Sequence, residues 1–217
     1  MNSVMFDFGF LQIKWYSFFI FFATIVGSFL VYKEAKKKGL KGDDIENILF
    51  YGFLIGILGA RIYYVLFNLD FYLSSPSEIF QIWKGGLAIH GGIIGALVFL
   101  TIYTKKRKIN LELLLDVMAI GLIIAQAIGR WGNFFNSEAY GRVVTLEFLQ
   151  SMHLPSFIIK GMYIDGFYRE PTFLYESVFS FIGFIILLGI RKIKKLRVSQ
   201  IFGTYLVWYG IERFIIE

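Results

Sequence analysis

Hydrogen-bonding side chains are densest in one short segment, which runs from Gly129 to Arg142 and follows a long apolar stretch. Its fourteen residues include two arginines, two asparagines, one glutamate and three glycines. Arginine is suited to binding anions, because its planar guanidinium donates two parallel hydrogen bonds to phosphate or carboxylate oxygens. If the preceding helix continues for one more turn, Arg130 and Asn133 lie on the same face. An asparagine-rich helix cap is the alternative, but a cap does not need two arginines and a glutamate.

A histidine surrounded by small residues lies in the segment 85–95, which reads GGLAIHGGIIG. Histidine titrates near neutral pH, so His90 is a candidate general base. Glycines allow a neighbouring backbone or a lipid chain to approach closely, and the alternative is a helix-packing groove around a structural histidine. The second histidine, His153, lies in a predicted loop, where we expect it to be solvated.

Two further segments near the carboxyl end combine ionisable and aromatic side chains. The last apolar window carries three polar residues spaced four apart, which form one stripe on a helix: Tyr209, Arg213 and Glu217. The segment 169–176 begins another predicted helix, with a proline in its first turn. Two interpretations of Tyr175 and Glu176 stay open, because the glutamate either interacts with the helix dipole or belongs to a polar site.

The elements that must position these groups are predicted from the apolar residues. Of the 217 residues, 57% are hydrophobic and 19% are aromatic, a composition typical of a polytopic membrane protein. This length suits about six membrane-spanning helices joined by short loops. The predicted windows are Leu11–Tyr32, Ile45–Phe67, Gly85–Tyr103, Leu111–Gly129, Pro171–Ile190 and Ser199–Ile216. We therefore predict an all-α membrane protein that forms a single integral membrane domain over residues 1–217.

Basic residues predict the orientation of these helices. Fourteen of the 22 Lys and Arg residues lie in three short alternate loops, at positions 32–41, 105–108 and 191–197. Because short loops rich in Lys and Arg stay in the cytoplasm, both termini are predicted to lie outside. The net charge of +6 then mostly reflects orientation, and nucleic-acid binding is not expected. No small-residue cleavage site follows the first apolar window, so we expect that helix to be retained.

The predicted orientation places polar residues of several helices near the outer membrane face. In chain order they are Tyr16, Arg61, His90, Gln126, Arg130, Glu176 and the stripe of Tyr209, Arg213 and Glu217. Ionisable groups at this depth are costly and usually face a bundle interior or a wet cavity, so we predict a shared site. The alternative for any single residue is an interfacial anchor. We expect the outer segment Arg130–Glu170 to form a small strand-and-turn cap between the fourth and fifth helices.

Several other kinds of chemistry are not expected. The chain has no cysteine, so it has no disulfide and no nucleophilic thiol of its own. The sequence lacks the signatures of serine hydrolases, zinc proteases and P-loop proteins, and we predict neither a metal site nor a cofactor. A small-solute transporter would carry its polar groups near the bilayer midplane, whereas here they are predicted to gather at one face.

Taken together, these motifs resemble the prolipoprotein diacylglyceryl transferase family over nearly the whole chain. The most specific match is the segment Gly129–Gly141, which is similar to the family signature around an essential Arg and Asn. The supporting matches, in chain order, are Lys14-Trp15-Tyr16, Gly59-Ala60-Arg61 with Tyr64, Gly85-Gly86 with His90-Gly91-Gly92, Pro171 with Leu174-Tyr175-Glu176, and Tyr209-Gly210 with Arg213-Phe214 and Glu217.

The resemblance implies that the diacylglyceryl group of phosphatidylglycerol passes to the lipobox cysteine thiol of a prolipoprotein signal peptide. A thioether forms and glycerol phosphate is released, at the outer leaflet of the bacterial plasma (inner) membrane, and we expect a monomeric multi-pass enzyme. Arg130 and Arg213 are then clamps for the lipid phosphate, and His90 is the candidate base for the thiol. The implied substrate-binding residues are Arg130, Asn133, Asn136, Glu138, Gly141, Tyr16, Arg61, Tyr64, Tyr209 and Glu217.

Two features depart from the family pattern. Members often have a histidine before the proline of the Pro-x-x-Leu-Tyr-Glu motif, where this chain has Glu170, so a role for that histidine does not carry over. Members usually carry one further membrane helix after the segment of Arg213, whereas this sequence stops at Glu217. The second hypothesis is therefore a degenerate or truncated relative, a non-catalytic phospholipid-binding membrane protein that binds the headgroup without releasing glycerol phosphate.

Overall fold

Helices dominate this computed structural model, which describes residues 4–7, 12–193 and 196–216. In the described part of the chain the α-helices are α1 Trp15–Lys37, α2 Gly42–Leu66, α3 Leu69–Ser74, α4 Ile89–Arg107, α5 Leu111–Asn136, α6 Leu146–Ser151, α7 Ser156–Gly161, α8 Thr172–Ile190 and α9 Gln200–Ile216. The strands are β1 Val4–Asp7, β2 Gln12–Lys14, β3 Val143–Val144, β4 Tyr163–Ile164 and β5 Phe167–Arg169. Two 3₁₀ helices, Pro76–Phe80 and Ile82–Lys84, follow α3.

Within the described residues, four helices are long and apolar enough to cross a membrane, namely α1, α2, α5 and α8. The prediction of an all-α polytopic membrane protein is therefore confirmed. Helices α4 and α9 coincide with the two other predicted windows and contain 19 and 17 residues. The number of membrane spans stays a prediction.

Two helix boundaries differ from the prediction, and each difference changes where a predicted site residue lies relative to its helix. Helix α5 continues past Gly129 to Asn136, because aromatic side chains of this extension pack into a hydrophobic core. Helix α4 begins at Ile89, because the φ angles of Gly85 and Gly86 are +93° and +77°, outside the range of a right-handed helix. The predicted window that begins at Gly85 places His90 five residues inside its helix, and this is wrong, since His90 occupies the first turn.

The chain divides into two compact units, and residues 32–114 form one of them. Within it, α2 and α4 cross at glycines. A Cβ atom on Gly59 would lie 2.5 Å from the carbonyl oxygen of Gly91 and 3.1 Å from Cα of Gly95. Backbones that approach this closely leave no room for a side chain. The prediction of a single integral membrane domain stays a prediction.

The other unit comprises residues 1–31 and 115–217. In it α1 crosses α5 closely, since a Cβ atom on Gly27 would lie 2.9 Å from the carbonyl oxygen of Gly121. Helices α5, α8 and α9 share a hydrophobic core that contains Ala119, Ile120, Ile123, Leu187, Ile201 and Tyr205. Asp116 of α5 fixes the start of α9, because its buried carboxylate accepts the backbone N–H groups of Ser199 and Phe202, each at 2.8 Å.

A small cap of short strands and helices connects α5 to α8. Its antiparallel sheet has the order β3–β5–β4, so the predicted strand-and-turn content is confirmed, whereas α6 and α7 were not predicted. The core of the cap combines Leu149, Ile158 and Met162 with Phe134 of α5 and Phe173 of α8. The cap is thus anchored on the two helices that carry the polar segments. The side of the membrane on which it lies stays a prediction.

The first helix of the cap is fixed by local hydrogen bonds. Thr145 is the N-cap of α6, and its side chain accepts the backbone N–H of Phe148 at 3.2 Å. The pKa of the Glu147 carboxyl lies below its ordinary value, because the backbone N–H of Glu147 and the hydroxyl of Thr145 donate hydrogen bonds to it. Both interactions stabilise the start of α6.

Candidate functional site

The two arginines predicted to clamp a phosphate meet at one carboxylate. Nε of Arg130, in the last turns of α5, is ion-paired with Oε2 of Glu176 in α8. Nη1 of Arg213 in α9 lies 3.8 Å from Oε1 of the same carboxylate. The Glu176 side chain is only 5% exposed, whereas those of Arg130 and Arg213 are 19% and 33% exposed. Three helices therefore place two cations around one buried anion.

Polar contacts behind this cluster fix the rotation of α9. The hydroxyl of Ser180 in α8 donates to the buried carboxylate of Glu212, with oxygen–oxygen distances of 2.9 and 3.0 Å. Gln126 of α5 donates to the Tyr205 hydroxyl at 2.9 Å, and the ring of Tyr209 stacks on that of Tyr205 with centroids 6.3 Å apart. Because α9 is tied to both neighbouring helices, Arg213 is held facing Glu176.

Aromatic side chains fix the end of α5 against α8. Trp131 Nε1 donates to the hydroxyl of Ser177 at 3.2 Å, and that hydroxyl donates to the carbonyl of Ala127 at 2.8 Å. The ring of Phe134 stacks on Phe173 with centroids 4.5 Å apart. One face of the α5 extension therefore packs on α8 and the cap, and this packing orients Arg130 towards Glu176.

The loop after α5 is tied to the segment that precedes α8. The backbone N–H of Gly141 donates to the carbonyl of Glu170 at 3.0 Å, and the N–H of Glu170 donates to the carbonyl of Arg142 at 2.9 Å. Two side-chain hydrogen bonds support this pairing, from Arg142 Nε to Glu170 Oε2 at 3.0 Å and from Thr172 Oγ1 to the Ala139 carbonyl at 2.8 Å. The loop and the start of α8 therefore form one wall.

A cavity of ≈ 540 Å³ opens along this wall. Its lining residues are Ala139, Tyr140, Gly141, Arg142, Glu170, Thr172, Glu176 and Ile216. The guanidinium of Arg169 lies 5.0 Å from the ring centroid of Tyr140. Because Glu176 lines the cavity, the cluster of Arg130, Glu176 and Arg213 adjoins a space large enough for a polar headgroup.

The remaining predicted residues of this unit have varied surroundings. Asn133 and Asn136 lie half-buried on α5, and the carbonyl of Asn133 accepts the backbone N–H of Glu138 at 2.9 Å. The side chain of Glu138 is exposed. Tyr16 in the first turn of α1 lies beside Gly132, whose added Cβ atom would be 3.3 Å from its ring. Glu217, predicted to bind substrate, lies outside the described residues.

Arg61, a predicted substrate-binding residue of the other unit, organises a loop in the structure. Its side chain is buried, and it donates to four backbone carbonyls between α3 and α4: those of Glu78 at 2.6 Å, Ile79 at 2.9 Å, and Gly85 and Gly86 at 2.8 Å each. Its guanidinium also lies 5.2 Å from the ring centroid of Tyr72. These contacts use Nε and both Nη groups, and they hold the two glycines that precede the segment of His90.

His90 and Tyr64 lie near this loop, within the same unit. The exposed ring of His90 stacks beside that of Tyr63, with centroids 6.2 Å apart. Tyr64 packs against Gly86, since an added Cβ atom there would lie 2.8 Å from its ring. Arg61, Tyr64 and Gly86 also line a smaller cavity of ≈ 270 Å³. The family resemblance names these residues in two separate motifs, and the loop held by Arg61 brings Tyr64 and Gly86 together.

Sequence reasoning missed or left open three groups that shape the site. Glu176 was left open between a dipole partner and a site residue, and Glu212 was not considered. Both are buried glutamates on helices of strongly apolar sequence, which is a signal of function by itself. Glu170, noted only as a departure from a family pattern, accepts hydrogen bonds from Arg142 at 3.0 Å and from the Tyr175 hydroxyl at 3.4 Å.

Comparison with known proteins agrees with this arrangement. A family model described as prolipoprotein diacylglyceryl transferase matches residues 3–217. Proteins named phosphatidylglycerol–prolipoprotein diacylglyceryl transferase from Bacillus velezensis, Staphylococcus aureus and Listeria monocytogenes are each 46% identical to this chain over 217 residues. The alignments cover 100% of this chain and, in the same order, 80%, 77% and 78% of those proteins. The chain therefore belongs to the prolipoprotein diacylglyceryl transferase family.

Proposed function

We propose that this protein transfers the diacylglyceryl group of phosphatidylglycerol to the cysteine thiol in the lipobox of a prolipoprotein. The cysteine sulfur attacks the carbon of the diacylglycerol moiety that is bonded to the phosphate oxygen. A carbon–sulfur bond forms, the carbon–oxygen bond breaks, and glycerol phosphate leaves with the bonding electron pair. The thiol proton passes to a base, and the product is a thioether.

The pairing of Arg130 and Arg213 around Glu176 carries this proposal, together with the family membership of the chain. Negative charge on the phosphate grows as the carbon–oxygen bond breaks, so two fixed guanidinium groups favour the transition state over the bound lipid. Arg130 pairs with Glu176 through Nε, and its side chain is 19% exposed. We therefore assign its Nη groups to the phosphate.

The other residues have supporting roles in this proposal. Thiolate, and not thiol, is the reactive nucleophile, and His90 is the proposed base that removes the thiol proton. The proposed substrate-binding residues are Arg130, Asn133, Asn136, Glu138, Gly141, Tyr16, Arg61, Tyr64, Tyr209 and Glu217. The N–H groups of Arg61 already donate to backbone carbonyls. We therefore propose that Arg61 supports substrate binding indirectly, by holding this loop in place.

We further propose the location of the enzyme, its oligomeric state and its independence of a cofactor. It acts as a monomer in the bacterial plasma (inner) membrane, with the site at the outer leaflet, where the signal peptides of prolipoproteins and phosphatidylglycerol meet. The reaction proceeds without a cofactor. The three loops rich in Lys and Arg then face the cytoplasm, in keeping with the positive-inside rule.

The test is turnover by the purified protein in vesicles that contain phosphatidylglycerol. A peptide with a lipobox cysteine should gain the mass of the diacylglyceryl group, and an equal amount of glycerol phosphate should appear. Arg130→Ala should lower turnover at least about a hundredfold, the scale expected for removing a group that stabilises transition-state charge. The matched control is Lys160→Ala, which removes an exposed cation from the cap and should leave turnover near that of the wild type.

Two outcomes would contradict the proposal. Unchanged turnover by Arg130→Ala would exclude the phosphate-clamp role of this residue. Binding of phosphatidylglycerol without any release of glycerol phosphate, by well-folded wild-type protein, would favour the alternative of a non-catalytic phospholipid-binding membrane protein.

A further inference from the structure

We propose that Glu176 lowers the charge of the arginine pair, so that the site gains less affinity for a doubly charged phosphomonoester, relative to a singly charged phosphodiester, than the two arginines alone would give. The inference rests on the proposed function, in which the first anion is the lipid substrate and the second is the glycerol phosphate product. Glu176 would then be a specificity-determining residue that promotes product release, in addition to holding Arg130 and Arg213.

The geometry of the cluster carries this inference. Glu176 is ion-paired with Arg130 through one carboxylate oxygen and lies 3.8 Å from Arg213 through the other, so an ionised carboxylate leaves one net positive charge on the three side chains. Glu176 also lines the ≈ 540 Å³ cavity. An anion that enters to reach the arginines must therefore approach a fixed negative charge as well.

The charge of the phosphate changes during the proposed reaction. A phosphodiester carries one negative charge at neutral pH, whereas a phosphomonoester has a second pKa near about 6 and carries between one and two. Breaking the carbon–oxygen bond converts the first into the second. The two arginines attract the additional charge of the product, and the carboxylate of Glu176 repels it and so weakens that attraction.

Other charged groups surround Glu176 on each element that packs against it. They are Arg130 on α5, Arg142 in the following loop, Glu170 before α8, and Glu212 and Arg213 on α9. Arg142 and Glu170 pair with each other at 3.0 Å, so their charges offset one another. Glu212 is buried, does not line the cavity and accepts a hydrogen bond from Ser180. Of the two glutamates that line the cavity, Glu176 is thus the one that lies beside both arginines.

The experiment compares two soluble anions that differ in this charge. Glycerol phosphate and glycerophosphoglycerol, which has the phosphodiester but no acyl chains, are titrated into the detergent-solubilised full chain at pH 8. The ratio of the two dissociation constants is measured in the wild type and compared with that of each variant. Glu176→Gln should shift that ratio roughly tenfold towards glycerol phosphate, as expected when about 1.4 kcal/mol of charge repulsion is removed. Glu176→Asp keeps the charge and should stay near the wild-type ratio.

One control variant and one titration of the wild type accompany this comparison. Glu147→Gln removes an exposed carboxylate from the cap outside the cavity and should leave the ratio unchanged. Because Glu176→Gln can impair folding, the wild type is also titrated with glycerol phosphate at pH 5 and pH 8. The affinity should rise by less than about tenfold as the ligand gains its second charge, whereas two arginines without the carboxylate would raise it by more than about tenfold.

The outcomes separate this inference from the proposed function. An unchanged ratio in well-folded Glu176→Gln, or a rise of more than about tenfold in the affinity of the wild type for glycerol phosphate between pH 5 and pH 8, would overturn the charge-tuning role even if turnover is normal. A shifted ratio in a protein without turnover would uphold the charge-tuning role and reject the transferase reaction.

Discussion

The backbone N–H of Gly141 donates to the carbonyl of Glu170 at 3.0 Å, and this bond joins the loop after α5 to the segment before α8. The contact is tight, since a Cβ atom on Gly141 would lie 2.8 Å from Cγ2 of Thr172 and 3.0 Å from Cβ of Glu170. The same residues line the ≈ 540 Å³ cavity. The wall of the candidate site therefore depends on the absence of a side chain at position 141.

Gly141→Ala should open this wall. The added methyl group must displace Thr172 or Glu170, and overpacking of this kind costs about 1–3 kcal/mol. We expect a lower unfolding temperature in detergent and a loss of turnover that exceeds the loss of folded protein. The control is Gly189→Ala in α8, where no atom lies within 4 Å of an added Cβ. Equal turnover by the two variants would contradict the role of this wall.

Asp116→Asn should loosen the start of α9. The carboxylate accepts two backbone N–H groups at 2.8 Å each, and an amide offers one oxygen instead of two while losing the charge that favours a helix N-terminus. The expected loss is about 1–3 kcal/mol in the free energy of unfolding. Hydrogen exchange should accelerate in the first turns of α9. Glu112→Gln, an exposed position on the same helix, should behave like the wild type.

Arg61→Lys should release the loop between α3 and α4. The guanidinium fork donates to four carbonyls at 2.6–2.9 Å, whereas an ammonium group has three donors at a single point. We expect faster hydrogen exchange and easier proteolysis in the segment 78–86, together with lower turnover. The matched control is Arg107→Lys, because the exposed Arg107 pairs with Asp44 at 3.2 Å and a lysine can keep that ion pair. Unchanged exchange in the segment 78–86 would show that the loop does not need Arg61.

Gly59→Ala should separate α2 from α4. The methyl group would meet the carbonyl oxygen of Gly91 at 2.5 Å, so the helices must move apart, at a cost of about 1–3 kcal/mol. Gly52→Ala on the same helix is the comparison, since its nearest new contact is the Phe99 ring at 3.7 Å. That substitution should be neutral or stabilising, because alanine favours a helix by about 0.5–1 kcal/mol over glycine. Similar unfolding temperatures for the two variants would contradict a tight crossing at Gly59.

The helices of the fold could be predicted because apolar length is a local property of the chain. All six predicted windows overlap an observed helix, and the start of α4 at Ile89 instead of Gly85 has a definite cause. The positive φ angles of Gly85 and Gly86 depend on the carbonyls that Arg61 holds. Sequence periodicity carries no information about such a distant partner.

The candidate site was predicted in part. Arg130 and Arg213 stood out because charged residues are rare in apolar helices, and the structure brings both to Glu176. The carboxylate itself was ambiguous, because a glutamate in an early turn of a helix also fits a dipole interaction. The choice between these interpretations depends on which side chains of α5 and α9 face α8, and that is set by packing.

The sequence by itself determined the class of protein, the order of its motifs and the types of side chain available for binding an anion. These properties follow from composition and from spacing along a single helix. The tertiary structure alone decided that one buried carboxylate joins two arginines, that Arg61 is used by a loop, and that Gly141 closes a cavity wall. Each of these is a contact between residues far apart in the chain, whose distance and burial arise only when the helices pack.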